Sequence, residues 1–364
     1  MEIRKQERMG RDLARFGVGT TGLIGRPDVT ERDVERALSE AIERGVQLID
    51  TAPYLAEGEK LCGRLLRELN VTEGVVLATR IPAANEAAAS AELLTDDEGR
   101  VFRDPLIRAF SPESLTYFVE ASLEATGLEA LPLCLLEGWH DSWLASSAWP
   151  EVTGKMAELQ RRGKVLRWGL CVPRPCVAHA TGVLSEPLIA AVAAPYSVWT
   201  QSASALASAA TAHGVAFLAQ GVMGQGGLSG EIVAGGRFRL GDVRGERFAD
   251  PRGLVELSRR IAELAAFTKE IPPAAESSDA GRAALERSRR DPELRECHSM
   301  AELALRFVLS DPAVTVAVLG CSSVEHVQKG LTATARGALP DVILARVRET
   351  IGRLATPATP ATAT

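Results

Sequence analysis

The chain has 364 residues, 46% of them hydrophobic and 24% charged, with a formal net charge of −6. That is enough apolar material for a large core, built as one α/β barrel or as two smaller domains. The acidic balance argues against a nucleic-acid partner, and no apolar run reaches the roughly 18 residues of a membrane span. The charged N-terminus MEIRKQERMGRDLARFG has no apolar core of a leader, so a cytoplasmic location is expected. Six scattered cysteines follow no metal-ligand spacing. They read as reduced, mostly buried residues, and no metal site is expected.

Short apolar runs alternate with amphipathic stretches along the chain. The first strand is expected at 15–20, followed by a helix over 31–44. In that helix Val34, Ala37, Leu38, Ala41 and Ile42 recur at helical spacing and form one apolar stripe. Thr30 is placed to cap it, with Asp33 three residues on. Strands follow at 46–50, 75–79, 133–137, 165–172, 188–194, 215–220 and 314–319. Helices are expected at 59–69, 112–126, 149–161, 176–184, 204–212, 254–268, 299–309 and 324–332. Eight strand–helix alternations, with strands rich in β-branched residues and leucine, point to a closed parallel (β/α)8 TIM barrel over residues 1–355. Three segments interrupt the rhythm: long connections at 81–111 and 221–253, and a charged, Ala-rich helical insertion at 271–298. The low-complexity end, ATPATPATAT, is expected to be a disordered tail over 356–364.

Six stretches, in order, carry a resemblance. They are FGVGTTGLIG at the first strand, LIDTAPY at the second, GKVLRWGLCV at the fifth and AAPYSVWTQ at the sixth. GVAFLAQGVMGQGGLSG at the seventh and LALRFVLSDPAVTVAVLGCSSVEHVQKGL at the eighth complete the set. Over about residues 14–335 the chain resembles an aldo-keto reductase. The resemblance implies the aldo-keto reductase type of barrel and reduction of carbonyls with NADPH. It also implies a catalytic set of Asp, Tyr, Lys and His, in which the cation lowers the tyrosine pKa and the tyrosine protonates the carbonyl oxygen.

Carried over position by position, the set is altered. Asp50 stands at the Asp position. Leu55 falls where the tyrosine is expected, and Tyr54, one residue earlier, takes the role if the loop is one residue shorter. Arg80 replaces the lysine, keeping the charge but presenting a fixed fork. Glu137 stands at the His position, as in the family's steroid double-bond reductases, and His140 lies three residues on. His140 and Asp141, with Trp139 and Trp143, read either as a polar-aromatic lining of a substrate site or as a loop packed by tryptophans. The Ser-Asn and Gln side chains that grip the nicotinamide carboxamide are replaced by Cys171, Val172 and Ala193.

After the eighth strand come Gly320, Cys321, Ser322 and Ser323, with Lys329 and Gly330 at the Glu-Asn positions of the adenine site. What remains of a cofactor site is the run Gly224–Gly230, with Gly226, Leu228 and Gly230 as a phosphate cradle. Gly320, Ser322, Ser323, His326 and Lys329 remain at the adenosine end.

Three functions fit. The first is cofactor-independent acid–base chemistry by Asp50, Tyr54, Arg80, Glu137 and His140 on a small carbonyl or enol compound: isomerisation, dehydration, cyclisation or lyase cleavage. The second is an NADPH-dependent carbonyl or double-bond reductase with an atypical catalytic set. The third is a non-catalytic binding or regulatory barrel. The partner expected is a small-molecule substrate; the sequence does not give the oligomeric state.

Overall fold

The computed structural model describes residues 2–20, 28–54, 56–83, 94–95, 101–102 and 105–355. Eight parallel strands close into a barrel: β1 (Phe16–Gly19), β2 (Leu48–Asp50), β3 (Val76–Ile81), β4 (Leu133–Glu137), β5 (Trp168–Cys171), β6 (Ile189–Pro195), β7 (Ala216–Gln220) and β8 (Val316–Gly320). Each strand pairs with the next in sequence, and β8 returns to β1. The barrel expected from the alternation is therefore present.

The main helices are α1 (Glu31–Glu43), α2 (Ala56–Glu68), α3 (Pro112–Thr126), α4 (Trp149–Arg161), α5 (Ser204–Ala212), α6 (Pro251–Leu264), α7 (Asp279–Ser288), α8 (Met300–Leu309), α9 (Val324–Arg336) and α10 (Asp341–Ala355). The α1 stripe is buried as expected, and Thr30 and Asp33 form a reciprocal capping box at its start. Two packed regions result. One fills the barrel, where Leu48, Val76, Leu133, Leu135, Leu218 and Val316 interdigitate. The other lies between strands and helices and includes Phe16, Trp168 and Phe217.

Several local expectations are corrected. The helix expected at 176–184 is two 3-10 turns, Arg174–His179 and Gly182–Ser185. Pro173 and Pro175 remove backbone donors at its start, and Ala180–Thr181 separates the two turns. β5 is shorter than expected, since Val165 makes only an isolated bridge to Leu131. β3 runs on to Ile81, so Arg80 lies inside the strand rather than after it.

An N-terminal hairpin, Ile3–Arg4 against Leu13–Ala14, escapes periodicity because its strands are two residues long. Its Met9 and Leu13 join the barrel interior, and Arg8 donates to the carbonyls of Leu184, Glu186 and Ile189. The 271–298 segment holds two helices, Pro273–Glu276 and α7, and a 3-10 turn at Pro292–Leu294. The 81–111 connection holds the antiparallel pair Leu94–Thr95 and Val101–Phe102 and the helix Pro105–Ala109. The 356–364 tail lies outside the described residues.

Candidate active site

The C-terminal ends of the strands form the face where barrels of this kind build their sites. Register brings five side chains there. Asp50 ends β2 opposite Ala78, and Arg80 follows on β3 opposite Leu135. Glu137 ends β4 opposite Cys171, which ends β5, and Gln220 ends β7. Alternation along β3 aims Ala78 into the barrel and Thr79 away from it, so Arg80 turns back to the axis.

Arg80 is the hub. One terminal nitrogen, Nη2, donates to Asp50 Oδ2 at 2.7 Å. The other, Nη1, donates to the Tyr54 hydroxyl at 2.8 Å and to Glu137 Oε1 at 3.3 Å. The Tyr54 hydroxyl in turn donates to Glu137 Oε1 at 3.3 Å. The loop before α2 thus carries Tyr54 to Arg80, which its place one residue early in the sequence left open.

Asp50 and Arg80 are only 3% and 7% exposed, whereas Tyr54 is 56% exposed and faces the mouth. The fork is what allows this geometry: a lysine has one nitrogen to share, and Arg80 uses two for different partners.

Two further residues join the set that sequence reasoning did not place in it. The Gln220 amide donates to Asp50 Oδ2 at 3.0 Å, and its oxygen accepts from the Cys171 thiol at 3.5 Å. Gln220 sits at the end of a strand beside a glycine-rich run, and nothing in its local sequence marks it.

Burial pushes the Tyr54 phenol up to about 12, helped by Glu137 and opposed by Arg80. Burial likewise pushes the Cys171 thiol up to about 12. Both are therefore protonated at neutral pH. Burial also raises the Asp50 carboxyl, against the pull of Arg80 and the Gln220 amide. For Arg80 burial opposes the charge, but Asp50, Cys171, Tyr54 and Glu137 outweigh it and hold the guanidinium above its usual range. The pair is best described as ionised, because arginine does not give up its proton in proteins.

His140 stands apart. It is exposed, and its Nδ1 lies 2.7 Å from Ser142 Oγ and accepts from the Ser142 N–H, capping a 3-10 turn over Asp141–Ala145. Of the two readings of this segment, packing describes the tryptophans. Trp139 and Trp143 are buried edge-to-face against each other, with Trp149 and Phe110 beside them. The Trp139 ring N–H donates to Asp141.

At the three positions matching the nicotinamide carboxamide grip, Cys171 is buried with its thiol turned to Gln220, and Val172 and Ala193 are fully buried. Valine and alanine offer no side-chain hydrogen bond, and both ends of the Gln220 amide are engaged. These residues do not fit a nicotinamide carboxamide.

In the glycine-rich run, the N–H groups of Gly226 and Leu228 both donate to the Met223 carbonyl. A Cβ on Gly230 would meet the Pro272 side chain at 2.5 Å. The glycines there permit close packing, and Leu228 is buried.

At the adenosine end, Gly320 ends β8 and Ser323 caps α9 by accepting from the His326 N–H. Ser322 Oγ lies 3.1 Å from His326 Nδ1, and Lys329 is paired with Glu325 at 2.7 Å. Gly330 faces inward, where a Cβ would meet the Phe16 ring at 2.5 Å. Among the described residues no group of three or more His, Cys, Asp or Glu is arranged to hold a metal ion.

The aldo/keto reductase family model matches residues 15–351. The chain belongs to the aldo/keto reductase family. Its fold is similar to that of the aldo-keto reductase AKR11C1 from Bacillus halodurans, in its holo form, at 18% identity and a TM-score of 0.65 over 96% of each chain. It is also similar to the glycerol dehydrogenase AKR11B4 from Gluconobacter oxydans, at 21% identity and a TM-score of 0.67, covering 100% of this chain and 99% of that one. No curated protein matches the sequence. At these identities the likeness is one of fold. No helix among the described residues is long and apolar enough to cross a membrane.

Proposed function

We propose that this aldo/keto reductase family member is an enzyme of cofactor-independent acid–base chemistry on a small carbonyl or enol compound. One observation carries the reading. Arg80 and Glu137 converge at the barrel mouth on the Tyr54 hydroxyl, with Asp50 behind Arg80, while the positions matching a nicotinamide carboxamide grip hold a thiol, a valine and an alanine.

In this reading the substrate carbonyl oxygen takes the proton of the Tyr54 hydroxyl, and Arg80 stabilises the negative charge left behind. Glu137 accepts the proton from the carbon next to the carbonyl. The product is an enol, with one proton moved to oxygen and one to Glu137. Return of the Glu137 proton to another carbon, with the enol proton going back to the Tyr54 oxygen, gives isomerisation. Delivery of the Glu137 proton to a β-hydroxyl that leaves as water, with the enol proton going back to Tyr54, gives dehydration. Asp50, itself held by the Gln220 amide, fixes Arg80 from below. His140, on the rim, is left to contact the far end of a substrate.

A second reading, carbonyl reduction with a nicotinamide cofactor, is favoured by one feature. The hydroxyl, cation and carboxylate of Tyr54, Arg80 and Asp50 are stacked in the order the family's chemistry uses.

The test is proton exchange. Small ketones and enones are incubated with the protein in D2O without cofactor, and deuterium uptake at the α-carbon is followed by NMR. Uptake is expected from the native chain, and a fall of about 10²–10⁴-fold is expected in Tyr54→Phe and in Glu137→Gln. Undiminished exchange in a variant carrying both changes would remove the basis of the proposal.

A further inference from the structure

The mechanism leaves one buried carboxyl unused. Glu59, in the first turn of α2, is 2% exposed. Its Oε1 accepts from Ser122 Oγ of α3 at 2.8 Å and from the hydroxyl of Thr79 on β3. Cys62 and Cys134 are its ionisable neighbours. No cation pairs with it among the described residues. Burying a carboxyl with only two hydroxyls for partners is costly, and an apolar side chain would fill the space at lower cost. The group is better explained by what its two bonds connect.

Thr79 is the residue before Arg80, and the two point to opposite sides of β3. Glu59 is five residues after Tyr54 and lies in the first turn of the helix that the Tyr54 loop enters. The other end of that loop is fixed too: the Thr51 N–H donates to the Ala78 carbonyl at 2.8 Å, and Thr20 Oγ1 donates to Thr51 Oγ1 at 2.8 Å. Between these anchors the half-exposed Tyr54 side chain has, among the described residues, only Arg80 and Glu137 as hydrogen-bond partners.

We propose that Glu59 is a positioning residue that sets the Tyr54 hydroxyl on Arg80 by tying the start of α2 to β3 and α3. This rests on Tyr54 belonging to the site, but not on which reaction the site performs.

The chain has three tyrosines, Tyr54, Tyr117 and Tyr196, so incorporation of 3-fluorotyrosine into the full chain gives three ¹⁹F resonances. Tyr54→Phe assigns one, and Arg80→Ala reports where that resonance goes when the cation is lost. In Glu59→Ala the Tyr54 resonance is expected to move toward its Arg80→Ala position. Tyr196, bonded to Asp311, and the exposed Tyr117 should stay. Glu59→Gln keeps an acceptor oxygen and should restore the native position.

An unmoved Tyr54 resonance, equal movement of all three, or failure of Glu59→Gln to restore would each overturn the proposal. If Glu59→Ala does not fold, Ser122→Ala removes one of the two ties. It should give a smaller shift of Tyr54 alone, and no shift would count against the inference. Failure of the proposed reaction would appear separately, as proton exchange that ignores Tyr54→Phe while the resonances behave as expected.

Discussion

At the scale of residues, the site is organised by one substitution of cation. A lysine at position 80 would offer a point charge, whereas Arg80 divides its two terminal nitrogens between a buried carboxylate and a phenol. The order Asp50, Arg80, Tyr54 grades burial from the barrel interior to the mouth, so the fixed charges lie below and the mobile proton above.

Glu59 gives this scale a pH signature. Burial raises its pKa above the ordinary 4.5, against the hydrogen bonds of Thr79 and Ser122. A carboxyl raised in the folded state binds its proton more tightly there than in the unfolded chain. Its contribution is therefore full below the unfolded pKa and is lost as pH rises through the folded one. Denaturant unfolding of the native chain and of Glu59→Gln should diverge over that window, the native chain losing stability relative to the amide as pH rises. A constant difference from pH 4 upward would mean that Glu59 titrates normally.

At the scale of elements, the strands were legible because barrel strands buried on both faces read as short apolar runs. The stripe and cap of α1 were legible from spacing alone. What was hidden is informative. Asp341–Ala355 forms a final helix, and the N-terminal hairpin closes the barrel floor, yet neither repeats the strand–helix unit that organised the reading. Asp50, Tyr54, Arg80 and Glu137, which hydrogen bonds bring together, could be named as candidates because they lie on motifs. Gln220 and Glu59 were not, since a strand-end glutamine and a glutamate in an amphipathic helix look like surface residues until register and packing turn them inward.

The joint between α2 and α3 is tight at Gly63, where a Cβ would lie 2.0 Å from the Thr126 carbonyl oxygen. Gly63→Ala gains helix propensity of about 1 kcal/mol. It must also push two helices apart, at a cost of about 1–3 kcal/mol. The expected net result is a less stable protein in chemical denaturation. A more stable variant would show that the helices separate without penalty.

At the scale of the molecule, the chain keeps the closed eight-stranded barrel of its family and changes what lines the mouth. The fold is carried by strand register and core packing, which tolerate exchange of mouth residues, so family membership is compatible with altered side chains at the mouth. Polar groups persist on β2, β3, β4 and β7. On β5 and β6 the corresponding positions have become a buried thiol and aliphatic side chains. An uncompensated loss of the carboxamide partners removes about 0.5–1.5 kcal/mol for each hydrogen bond, and the altered adenine positions add to it.

The most direct test of this account is a titration of NADPH with the purified full chain, followed by the fluorescence of the cofactor, with NADH in parallel. The account predicts no saturable binding for either up to about 1 mM, near −4 kcal/mol. Saturable binding of NADPH at about 1 μM, near −8 kcal/mol, would contradict it and return the chain to the reductases.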